Sequence, residues 1–85
     1  MDKKIIIVAI KVLDRIKESV RFQAVLSKNS KIIKTRFGFH ELHDAKCSRS
    51  GLVILELEGT ETECSLFIEE LQVLRGIKVE VMSFI

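Results

Sequence analysis

Leu52-Val53-Ile54-Leu55-Glu56-Leu57-Glu58-Gly59-Thr60-Glu61-Thr62-Glu63-Cys64 opens the half of the chain whose reading decides the fold. Val53, Leu55 and Leu57 fall on one side and Leu52, Ile54 and Glu56 on the other, the period of two that marks a strand over residues 52–58. Gly59 turns the chain. Thr60 and Glu63 stand at the spacing of a capping box, each placed to satisfy a backbone donor at a helix start. Cys64, Phe67, Ile68, Leu71 and Leu74 then recur with the period of a helix face, predicting a helix over 61–75. Gly76 stops it, and Arg75 suits its negative end. Beyond it Ile77, Val79 and Val81 point inward while Lys78, Glu80, Met82 and Phe84 point outward, a second strand.

The preceding half repeats the plan less tidily. Residues 5–13 form a β-branched, nearly continuous apolar run: Ile5, Ile7 and Ala9 on one face, Ile6, Val8, Ile10 and Val12 on the other. A strand apolar on both faces is buried on both. Asp14 is placed to cap a helix running to Lys28, with Ile16, Val20 and Ala24 on one stripe, Phe22 and Leu26 on a neighbouring one, and Val25 on neither. Asn29 suits the left-handed conformation that ends many helices. Residues 31–40 read as a strand with Ile33, Thr35, Phe37 and Phe39 sharing a face opposite Ile32, Lys34, Arg36 and Gly38. The connection 41–50 exceeds the 2–5 residues usual for a hairpin.

The order is βαββαβ. With right-handed crossovers it gives an α+β, ferredoxin-like fold: a four-stranded antiparallel sheet, strands one and three central, both helices on one face. The helices cover one side of central strands that are apolar on both. A second copy on the open face resolves the mismatch, so a homodimer or higher homo-oligomer is expected.

A chain of 85 residues suits a single domain spanning 1–85, and an apolar content of 47% excludes disorder. A net charge of +2 without Trp or Tyr lacks both the field and the stacking aromatics of a nucleic-acid surface. No DNA-binding module fits beside a βαββαβ unit that uses the whole length, so no direct specific DNA binding is expected. Cys47 and Cys64 are too few for a disulfide framework, which points to a cytoplasmic protein. Met1-Asp2-Lys3-Lys4 ahead of an apolar run imitates a signal peptide, but Lys11 interrupts that run and no small-residue cleavage site follows. No stretch approaches the ~20 apolar residues of a membrane span.

Val12-x-Asp14-Arg15, Ile32-Ile33-Lys34-Thr35-Arg36-Phe37-Gly38, the strand between Gly51 and Gly59, and Leu71-x-x-Leu74-x-Gly76-Ile77-x-Val79 together resemble the iron-only hydrogenase system regulators, an ACT-like family of ferredoxin-type fold. The resemblance runs along nearly the whole chain. It implies a cytoplasmic, oligomeric, non-enzymatic sensing or accessory protein with no catalytic residues to carry over. The family passes from its Arg-x-Gly strand to the next by a shorter turn than the one between Gly38 and Gly51. The ACT-like domain of the nickel-responsive repressor binds metal through His and Cys near a similar strand, at a spacing this chain does not reproduce.

Two groups of residues carry possible chemistry. His40-x-x-His43-x-x-x-Cys47 has ligand types suited to a transition metal, the set needing Glu41, Asp44, a partner subunit or water to complete it. The same loop reads first as a solvated connection that binds nothing, short motifs of this kind being weak. Lys34, Arg36 and Gly38 could hold a small anionic ligand, with Lys28 and Lys31 adding positive charge. Alternatively Lys34 protects an edge strand from pairing. Cys64 falls on the core face of its helix as a small hydrophobe, whereas Cys47 reads as an inert loop cysteine, or as a thiol whose pKa Lys46 and Arg49 could lower. No nucleophile, base and acid assemble, and the sheet offers almost no convergent polar groups for an enzymatic cleft, so no enzyme and no resident cofactor are expected. What remains is a module that senses a small ligand or contacts a protein partner, or a metal sensor using the histidine loop.

Overall fold

A computed structural model describes residues 5–13, 15–39 and 51–84 of the chain. Strand β1 (Ile5–Val12) leads to helix α1 (Arg15–Lys28), a 3₁₀ turn (Ser30–Ile32) and strand β2 (Ile33–Phe39). Strand β3 (Gly51–Leu57), helix α2 (Glu61–Gln72) and strand β4 (Ile77–Phe84) follow. All neighbouring strands are antiparallel in the order β2-β3-β1-β4, so β1 and β3 are central as expected and the ferredoxin-like topology holds.

The core lies between one face of the sheet and both helices. Val8, Ile10 and Val12 from β1 and Val53, Leu55 and Leu57 from β3 meet Phe22 and Leu26 of α1 and Cys64, Phe67 and Leu71 of α2. The alternation visible in β1 and β3 therefore sorts their side chains correctly between the two faces. The α1 stripe is different. Val20 is 80% exposed and Ala24 is exposed, while Val25 packs against the core beside Phe22 and Leu26. Phe22, Val25 and Leu26 at i, i+3 and i+4 form the buried stripe, because the larger side chains settle which arc faces the sheet. Asp14 lies outside the described residues.

Both helix ends differ from the simplest sequence expectation. Asn29 is not left-handed, with φ −107° and ψ 21°. Its side-chain amide instead donates to the Val25 carbonyl at 2.8 Å and to Glu70 Oε1 at 3.3 Å. Glu70 also takes Lys28 Nζ at 2.9 Å, so the end of α1 is tied to α2 by its carboxylate, and the Lys28 and Asn29 bonds hold that carboxyl below its ordinary pKa. Helix α2 ends at Gln72 because its last turn tightens, the Leu74 N–H reaching the Leu71 carbonyl three residues back. Gly76, at φ +74°, then makes the reversal, and its carbonyl accepts the Leu13 N–H at 2.8 Å.

The start of α2 is as the sequence predicts. The Thr60 hydroxyl accepts the Glu63 N–H at 3.1 Å, and the Glu63 carboxylate accepts the Thr60 N–H at 2.9 Å. Those two bonds, the backbone one first, hold the Glu63 carboxyl below its usual pKa. The stabilisation is thus present above the unfolded-state pKa and is lost as pH falls through the folded one. Thr60→Ala is expected to cost about 1 kcal/mol in urea unfolding at pH 7, with a smaller difference from the parent protein at pH 3.

Candidate functional site

The helices occupy one face of the sheet, and the opposite face is uncovered by the described residues. Register decides what lies there, since directly opposed residues of an antiparallel pair point to the same side. From β1 come Ile5, Ile7, Ala9 and Lys11, opposed on β4 by Phe84, Met82, Glu80 and Lys78. From β3 come Leu52, Ile54 and Glu56, and from β2 Thr35 and Phe37. Phe37 is 62% exposed, Met82 56% and Phe84 50%, while Ile7, Ala9, Leu52 and Ile54 are half-buried by one another. Apolar side chains from all four strands thus form one contiguous surface. Its polar members are dispersed: Thr35 donates to Glu56 Oε1 at 3.3 Å, Lys11 and Lys78 face each other at one end, and Glu80 stands on the edge.

The predicted ligand residues separate. An irregularity between Ile33 and Thr35 places Lys34 in a bulge of the edge strand β2. Ile33 therefore pairs with Leu57 and packs against the core, leaving the face it was expected to share with Thr35 and Phe37. Arg36 pairs with Leu55 and Gly38 with Val53, so both lie on the helix side, opposite to Phe37. The Arg36 guanidinium reaches across to donate to Gln23 Oε1 of α1 at 3.3 Å. At Gly38 a Cβ would meet only Val53 Cγ2, at an ordinary 3.9 Å, so neither packing nor a positive φ requires glycine. His40, His43 and Cys47 lie outside the described residues, and among the described residues no group of His, Cys, Asp and Glu could hold a metal ion.

Cys64 is buried on α2's core face, its thiol 4.0 Å from the Glu58 carbonyl. Burial, with the nearby Glu63 charge, pushes its pKa up, away from a nucleophilic thiolate. Leu66 is 57% exposed on the outer side of α2, and Val73, just past the end of that helix, is 80% exposed. What the sequence alone does not reveal is the Lys11–Lys78 opposition, since it depends on the register between β1 and β4. No described helix is long and apolar enough to cross a membrane.

No family model matches the sequence, and no curated protein matches it significantly. Solved structures do. The uncharacterized protein TM1266 from Thermotoga maritima is similar at a TM-score of 0.83 with 20% identity, over 99% of this chain and 100% of that one. A putative PII-like signaling protein from Thermus thermophilus follows at 0.59 and 13%, over 99% and 91% of the two chains. SnoaB, a cofactor-independent oxygenase from Streptomyces nogalater, stands at 0.59 and 9%, over 99% and 93%. Identities this low establish a shared fold alone: one architecture carries a PII-like protein and an oxygenase, so function must be argued from this chain's own surface.

Proposed function

We propose that the chain is a non-enzymatic regulatory or accessory module that works as a homo-oligomer, with a second copy closing the uncovered sheet face, and that it senses a small ligand or contacts a protein partner. The observation carrying this is the apolar surface contributed by all four strands. Contiguous exposed apolar area of this kind marks an interaction surface, and a two-fold copy offers the same apolar centre in return. The polar groups of that face are tied to one another or stand at its margin, which suits an interface better than a reaction centre. The fold shared with the PII-like protein from Thermus thermophilus is in keeping with this reading. A role in iron-only hydrogenase systems is carried by the family resemblance and predicts a gene placed among hydrogenase-maturation genes.

Light scattering after size exclusion tests the assembly. Ile54, central on β3 and half-buried, is the position of choice. Ile54→Glu is expected to lower the particle mass at micromolar concentration while leaving the far-ultraviolet circular dichroism unchanged. A parent protein that runs as a stable monomer, or an Ile54→Glu mass equal to the parent's, contradicts the proposal.

A further inference from the structure

The two edges of the sheet are unlike. Strand β2 is interrupted by the bulge at Lys34, a device that keeps an edge from pairing with another chain. Strand β4 has no bulge, and its edge charges, Lys78 and Glu80, are of opposite sign. Its register against β1 is unbroken from Ile77 to Phe84, and no proline interrupts it. Its apolar row on the helix side is incompletely covered: Ile77 and Val79 are half-buried and Val81 is 45% exposed.

The charges along β4 favour one partner. Lys78 and Glu80 flank Val79 on the uncovered face, and among the described residues neither makes an ion pair within the chain. Lys78 is instead set opposite Lys11, a like-charge opposition that disfavours the isolated chain. If a second β4 runs antiparallel about a two-fold axis through Val79, Lys78 of each copy faces Glu80 of the other. On the helix side Val79 meets Val79, and Ile77 meets Val81. Adjacent two-fold registers fail: centring on Lys78 sets lysine against lysine, and centring on Glu80 sets glutamate against glutamate.

The geometry points to a second homotypic interface, in which β4 of one copy pairs with β4 of another through residues 77–81 and joins two sheets into one of eight strands. A two-fold axis normal to the sheet keeps the helices of both copies on the same side, so the two uncovered faces become one larger face. This goes beyond the face-to-face packing proposed above and is independent of it. Together the two contacts close a tetramer of dihedral symmetry.

Sedimentation velocity over a concentration series at low salt tests the edge. Lys78→Glu sets glutamate against Glu80 of the second copy, yet within its own chain it now faces Lys11, so the fold is not weakened. The edge dissociation constant is expected to rise roughly 10- to 100-fold, lowering the mass. Lys78→Glu combined with Glu80→Lys re-creates opposite charges across the two-fold axis and is expected to restore the parent mass. A mass unchanged by Lys78→Glu, or not restored in the double variant, overturns the edge pairing. Ile54→Glu in parallel separates the two readings: where it leaves the mass unchanged while Lys78→Glu lowers it, the face packing fails and the edge pairing stands.

Discussion

Phe67→Ala is expected to destabilise the protein by about 3–5 kcal/mol, the largest effect of any single truncation here. Phe67 is fully buried where α2 meets the sheet, in the same cluster as Leu55, Leu71 and Val8. Removing the ring forfeits its transfer energy and leaves a cavity between α2 and the sheet. A domain of this length has a total stability of roughly 5–15 kcal/mol, so the variant should be partly unfolded in mild urea. Leu66→Ala, one residue earlier but 57% exposed, is the control and should change stability by less than about 0.5 kcal/mol. Equal urea midpoints for the two variants would refute this description of the core.

Gly59→Ala is the second large effect. Gly59 sits at φ +124°, a region essentially confined to glycine, so alanine there costs about 1–3 kcal/mol in backbone strain alone. The added methyl would stand 2.9 Å from Ile32 Cγ2 and 3.1 Å from Glu63 Oε1. Ile32 is buried, and Glu63 Oε1 already accepts the Thr60 N–H, so the methyl presses on the core and the capping box together. The Glu58 N–H to Ile32 carbonyl bond at 2.7 Å holds the two segments at this approach. Gly38→Ala, with φ in the ordinary range and no contact under 3.9 Å, is expected to be neutral or slightly stabilising. Thermal unfolding of both variants checks the contrast, and a Gly59→Ala midpoint matching the parent's would show that the turn relaxes freely.

These two glycines show why a shared residue type says little about role. Gly38 stands two residues after Arg36 in β2 and tolerates a side chain, yet Gly59 is the position whose geometry excludes one. The difference lies in Ile32, distant in sequence and brought against Gly59 by the turn before β2.

Features set by neighbours within about four residues were legible in the chain. The capping box at Thr60 and Glu63, the α2 face from Cys64 to Leu71, and the two-sided apolar pattern of β1 are local and follow from the periods of helix and strand. The βαββαβ order and the centrality of β1 and β3 followed from these through the rules of connection. Tertiary structure alone decided the rest. Phe22, Val25 and Leu26 became the buried stripe of α1 because of what the sheet offers them, and Asn29 capped a helix through its side chain because Glu70 stands within reach. The bulge at Lys34 sent Ile33 to the core and Arg36 towards α1, and a one-residue slip in a strand reverses every side chain beyond it. The opposition of Lys11 and Lys78 likewise exists only in the register of β1 against β4. Periodicity assigns side chains to faces within one element, whereas pairing and packing energies between elements determine which faces meet.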